Sequence, residues 1–85
     1  MSAAAAALAK INEGLASVKG FSNYQRWALE AARENLLAGD VDAAVHKLGD
    51  AIDHAHRPGW TETRAEVAVC IDAFRILTAK TGGAA

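Results

Sequence analysis

The sequence is poor in the residues that constrain a chain covalently or stiffen it. Among 85 residues there is one cysteine, one proline and one methionine. The single Cys70 excludes an intramolecular disulfide framework and a cysteine-pair zinc site. Because Cys70 stands within a row of apolar residues, we expect it to be a small buried side chain. An intermolecular disulfide or a reactive thiol is the alternative interpretation.

Long apolar runs and an excess of one charge are also lacking. Nine basic and ten acidic residues leave a net charge of −1, without the basic excess typical of nucleic-acid-binding domains. No stretch approaches the ~20 apolar residues of a membrane span. The segment Met1–Leu8 has no basic residue, so it does not resemble a signal peptide. We therefore expect a soluble, cytoplasmic protein; the alanine-rich composition fits a bacterial or phage source.

The spacing of apolar residues predicts an all-α protein, because no segment alternates as a strand would. Ser2 and Asp40 are placed to cap helix starts, and Gly20 and Gly39 to end helices. The short connections favour a small antiparallel bundle of four helices, a single domain over residues 1–81 with a flexible tail at 82–85. The helices are predicted at about residues 3–19, 23–38, 41–56 and 62–80.

The fourth predicted helix has two rows of apolar residues, whereas a surface helix needs one apolar face. The second row must be covered by a further helix, by another copy of the chain or by a partner protein. The first row consists of Val67, Cys70, Ile71, Phe74 and Leu77, and the second of Val69, Ala73 and Ile76. We predict a protein interface formed by Trp60, Val69, Ala73, Ile76 and Lys80.

A turn sequence lies between the second and third helices, Ala38-Gly39-Asp40-Val41-Asp42-Ala43-Ala44-Val45, and Leu48, Ala51 and Ile52 follow it. With these residues the segment 27–58 resembles a single, degenerate tetratricopeptide-like helical hairpin. The alanines at 28, 31 and 32 depart from that family, which prefers a bulky residue, a leucine and a glycine there. No second copy follows at the family's period of about 34 residues. The resemblance implies a helical hairpin and protein–protein binding.

The third helix places histidines and aspartates at successive i+4 steps. Imidazole and carboxylate groups on one helix face are possible ligands of a divalent metal, and His46, Asp50 and His54 are the candidates. The interpretation that we favour is a solvated face with i, i+4 acid–base pairs. A third interpretation is a pH-sensitive or partner-facing role of the histidines. We expect neither a resident metal nor a cofactor.

Aromatic residues cluster near the start of the second helix, at Phe21, Tyr24 and Trp27. We expect Tyr24 and Trp27 to close the core across the hairpin, although both types are also favoured interface anchors. Trp60, in the turn before the fourth helix, either caps the bundle or contacts a partner.

Together these patterns favour a helical interaction module, an adaptor or inhibitor, that binds a partner protein or itself as a homodimer through the fourth helix. Its size fits phage-type inhibitors such as anti-CRISPR proteins. No nucleophile–base arrangement and no glycine-rich phosphate loop is present, so we do not expect an enzyme or a small-molecule substrate. The alternative functions are a nucleic-acid-binding regulator using Arg57, Arg64 and Arg75, which the acidic third helix opposes, and a His/Asp metal or pH sensor.

Overall fold

The chain forms a bundle of four α-helices. The computed structural model describes residues 2–17, 23–55 and 64–79, and within these ranges no strand is present. The predicted all-α bundle is confirmed, and the predicted helices extend beyond the observed ones by only one or two residues. Of these extra residues Ala38 and Ala79 are not helical, and the others lie outside the described ranges, as does the predicted tail. The helices are α1 (Ala3–Ser17), α2 (Asn23–Leu37), α3 (Val41–Ala55) and α4 (Arg64–Thr78).

The helices are arranged so that α4 lies between α1 and α3, while α2 packs mainly on α3. α1 and α4 run antiparallel: Lys10 lies near Asp72, whereas Gly14, one turn later in α1, lies near Val69, which precedes Asp72 in α4. α2 and α3 are also antiparallel, since Tyr24 stacks on His54 whereas Trp27, later in α2, lies at Lys47, earlier in α3. None of the described helices is both long and apolar enough to cross a lipid bilayer.

The core is built mainly from small side chains. Among the residues whose burial the structure describes, six alanines and Cys70 are almost completely buried, together with four larger aliphatic residues. Small side chains at helix crossings let the helix axes approach closely, and Cys70 is confirmed as a buried thiol. The buried apolar residues are Ala7, Ile11, Ala28, Leu29, Ala32, Leu36, Ala44, Leu48, Ala51, Cys70 and Ala73.

The α2–α3 connection is held by backbone and side-chain hydrogen bonds. Gly39 has φ +81°, and the Asp40 and Gly39 amides donate to the carbonyls of Asn35 (2.8 Å) and Leu36 (3.1 Å). This pair of bonds is the Schellman motif, in which a left-handed glycine ends a helix. Asp40 then begins α3, because its Oδ1 accepts the Ala43 amide at 3.1 Å.

Candidate functional site

The two apolar rows of α4 are both used within the monomer. Ala73 is completely buried, and Val69 lies directly over Gly14 of α1. On the other side of α4, Phe74 lies against Gly49 of α3. Gly14 of α1 therefore covers Val69, and Ala73 is enclosed within the same monomer. In the second row, Val69 and Ile76 keep part of their surface exposed, and both also pack against the core.

This packing changes what the predicted interface residues can offer to a partner. Ala73 has no accessible surface for an intermolecular contact, while Ile76 retains some. Trp60 and Lys80, the other two residues of that prediction, lie outside the described ranges. Binding through α4 remains a prediction.

The acidic face of α3, which we define as Asp42, His46, Asp50 and Asp53, points to solvent. All four residues are exposed, and His46 Nε2 lies 3.5 Å from Asp50 Oδ2, with side chains 78% and 52% accessible. Such an exposed i, i+4 pair contributes only tenths of a kcal/mol, about 0.2–0.5. Neither lysine nor arginine occurs on this face.

His54 does not share the acidic face, contrary to the sequence-based expectation. It is 9% exposed, and its ring stacks on that of Tyr24 in α2, with centroids 3.8 Å apart and planes 6° from parallel. The reason is the helical repeat: each i+4 step rotates the side chain by about 40°, so His54 stands about 80° away from His46. His46, Asp50 and His54 are therefore not brought together as a ligand set. The described part of the chain contains no group of three or more histidine, cysteine or acidic side chains that could hold a metal.

Trp27, like His54, lies elsewhere than the sequence analysis predicted. It is 51% exposed and does not close the core; its ring lies 5.8 Å from that of Tyr24, at an interplanar angle of 57°. The ammonium group of Lys47 in α3 lies 4.3 Å from the centroid of the Trp27 ring. A cation over an exposed aromatic ring contributes about 0.5–1 kcal/mol.

A signal in the sequence could have placed Trp27 correctly. The buried row of α2 consists of Gln25, Ala28, Leu29, Ala32 and Leu36. Trp27 precedes Ala32 by five residues, which puts it about 140° around the helix from the middle of that row. The size and apolar character of tryptophan outweighed this position in the prediction.

Other exposed apolar residues lie at the end of the bundle that contains the α2–α3 turn. Leu37 is 68% exposed and Val41 36% exposed, on either side of the turn. Of the arginines proposed for a nucleic-acid edge, Arg75 is exposed. Arg57 and the side chain of Arg64 are outside what the structure describes, so that edge is not assembled from described residues.

Comparison of the chain with protein family models, with curated proteins and with solved structures found no match.

Proposed function

We propose that this protein is a small helical protein–protein interaction module, an adaptor or inhibitor, that binds a partner protein or a second copy of itself. The observation that carries the proposal is the half-exposed Trp27 on the hairpin of α2 and α3. Tryptophan is enriched among the few residues that dominate the binding energy of protein interfaces. The chain has only five aromatic residues. Leaving the Trp27 ring half exposed therefore withholds from the core one of the few large apolar side chains that could fill it.

The geometry of Trp27 suits a contact surface. Its ring contacts two neighbours, Tyr24 on its own helix and Lys47 on the next. The side chain is therefore already restricted in the free protein, and it loses little conformational entropy when a partner binds. Ordering of side chains is one of the costs that reduce affinity, and a preorganised anchor lowers it. The hairpin on which it stands is fixed by the Schellman turn and by a buried hydrogen bond from Gln25 to the Ala51 carbonyl.

The test compares two charge insertions, Trp27→Glu on the hairpin and Ile76→Glu on α4. Light scattering of the purified chain measures self-association. Affinity capture from cells of the natural source, followed by calorimetry with the purified captured protein, measures partner binding. We expect Trp27→Glu to weaken the association by about tenfold or more, as loss of an interface anchor does. Ile76→Glu tests the predicted binding through α4, and we expect it to weaken the association less than Trp27→Glu does.

Circular dichroism controls for folding, with Ile76→Ala as a milder variant if the glutamate unfolds the bundle. Weakening by the Ile76 variants alone would support an interaction module that uses α4 instead of the hairpin. A chain that stays monomeric and binds no captured protein after purification would contradict the proposal, as would binding that neither position affects.

A further inference from the structure

The acidity of this protein is concentrated on one side of the bundle. The whole chain has a net charge of −1, but residues 23–55 contain six acidic and three basic side chains. Three of the six acids, Asp42, Asp50 and Asp53, stand together on the acidic face of α3. The only potential cation among them is His46, which is paired with Asp50.

Trp27 adjoins this acidic face. Lys47, whose ammonium group lies over the Trp27 ring, precedes Asp50 by three residues and is therefore its neighbour on the helix surface. The order around the hairpin is thus an exposed aromatic ring on α2, the lysine that covers it, and Asp50 on α3. Asp53 and Asp42 follow farther around α3, about 120° and 140° from Lys47. An apolar anchor whose neighbouring surface begins with Asp50 and becomes more acidic with distance is complementary to a segment that is apolar on one side and basic on the other.

We infer that the occupant of this surface is a lysine- and arginine-rich amphipathic segment of a partner protein. This inference rests on the proposed function and specifies its surface and the chemistry of the partner. The partner's apolar side chains contact Trp27, its nearest cation lies at Asp50, and further cations reach Asp53 and Asp42 on the outer side of α3. A partner arginine or lysine can also take the position over the Trp27 ring that Lys47 occupies in the free protein, because aromatic faces attract either cation.

Substitution of Lys47 tests the inference, because the direction of the change in affinity depends on the charge of the partner. Lys47 is a like charge for a basic partner and a competitor for the ring, so Lys47→Gln should tighten binding of a basic segment. An acidic partner would lose an attractive charge, and the same substitution would weaken its binding. A partner that recognises only the apolar ring would respond in the same way whether its own charge is positive or negative.

The experiment uses the full chain and two synthetic amphipathic helical peptides with the same leucine pattern, one with lysine and one with glutamate at its polar positions. Calorimetry measures affinity, and amide shifts in nuclear magnetic resonance spectra locate the contact. We expect only the lysine peptide to bind, with shifts on α2 and α3. Trp27→Ala and the double variant Asp50→Asn/Asp53→Asn should each weaken it about tenfold, and Lys47→Gln should tighten it severalfold.

Asp72→Asn on α4 is the matched control, because the Asp72 side chain is 46% accessible and its only described ion pair is a 3.8 Å contact with Lys10. It should leave the affinity unchanged. Equal weakening by Asp72→Asn, binding of the glutamate peptide, shifts confined to α1 and α4, or no binding of either peptide would each overturn the inference. A captured partner that depends on Ile76 but not on Trp27, Asp50 or Asp53 would leave the interaction module standing and reject this surface. If the purified chain neither self-associates nor binds a captured protein or either peptide, both the interaction module and this binding surface are rejected.

Discussion

Gly14 lies at a close contact between α1 and α4. A Cβ built on Gly14 would stand 2.7 Å from both Cγ atoms of Val69, closer than real Cβ atoms approach a neighbour. Val69 has little freedom to move aside, because β-branched side chains in helices are restricted to essentially one rotamer. Glycine therefore occupies this helical position because the Val69 side chain leaves no room for the methyl group of alanine, which has the higher helix propensity.

The first prediction concerns Gly14→Ala. Alanine gains about 1 kcal/mol of helix propensity, while overpacking typically costs about 1–3 kcal/mol. We expect the clash to prevail, with the free energy of unfolding lowered by about 1 kcal/mol and the melting temperature by about 4–8 °C. Urea unfolding measures the change in the free energy of unfolding, and thermal unfolding measures the change in melting temperature.

Val69→Ala provides the control for Gly14→Ala. In the Val69→Ala background both Cγ atoms are gone, and only the Cβ of residue 69 stays close to the added methyl group, at 3.2 Å. Gly14→Ala should therefore destabilise this background less than it destabilises the wild type. A Gly14→Ala variant that is more stable than the wild type in the unmodified background would show that Val69 does not restrict this position.

Gln25 is a polar residue in the interior of the bundle. It is completely buried, and its Nε2 donates to the carbonyl oxygen of Ala51 at 3.0 Å, which links α2 to α3. A buried amide needs such partners, because an unsatisfied one costs about 1–3 kcal/mol.

The second prediction separates the volume of Gln25 from its hydrogen bond. Gln25→Ala removes both and should lower the free energy of unfolding by about 2–4 kcal/mol. Gln25→Met keeps most of the volume and should cost about 1 kcal/mol. Chemical unfolding of the two variants measures the difference. Equal losses would mean that side-chain volume at this position contributes nothing.

At the scale of helices, the α2–α3 hairpin depends on its turn. Asp40 ends the Schellman motif of α2 with its amide and begins α3 with its carboxylate. Its side chain also places a negative charge at the positive end of the α3 dipole.

The third prediction is that Asp40→Ala lowers the free energy of unfolding by about 1 kcal/mol, because the Ala43 amide loses its side-chain acceptor. Asp40→Ser, which keeps an acceptor oxygen, should recover most of the loss. Because Asp40 is exposed, neither variant alters the core. An alanine variant as stable as the wild type in urea unfolding would show that the cap contributes nothing.

The boundaries of these helices were accessible from the sequence because they depend on local interactions. Ser2 caps α1 as predicted, with Oγ accepting the Ala5 amide at 3.1 Å. Gly39 and Asp40 also act as predicted, since caps and left-handed glycines satisfy backbone groups only a few residues away. The rotation of His54 away from His46 follows from the helical repeat alone, and a stricter use of that repeat would have found it.

At the scale of the whole molecule, α4 is the central helix, with α1 on one side and α3 on the other. In its second apolar row, Val69 is covered by Gly14 of α1, and Ala73 is buried within the monomer. Removal of α1 would expose Val69.

The fourth prediction is that a chain lacking residues 1–17 associates, because α4 then carries an uncovered apolar row of the kind that marks interaction surfaces. Light scattering at increasing concentration should show a rising molecular mass that the full chain does not share to the same extent. The truncated chain with Val69→Ser and Ile76→Ser should associate less. A truncated chain with the mass behaviour of the full chain would contradict the shielding role of α1.

The sequence by itself determined the four helices, the caps at Ser2, Gly39 and Asp40 and the burial of Cys70, because hydrophobic periodicity and capping act over one or two helical turns. Only the tertiary structure decided which neighbour covers each apolar row and which rings stack on each other. The periodicity of a side chain shows that it needs to be buried, but the residue that covers Val69 is a glycine 55 positions earlier in the chain. The stacked rings of Tyr24 and His54 likewise come from different helices, 30 positions apart in the chain.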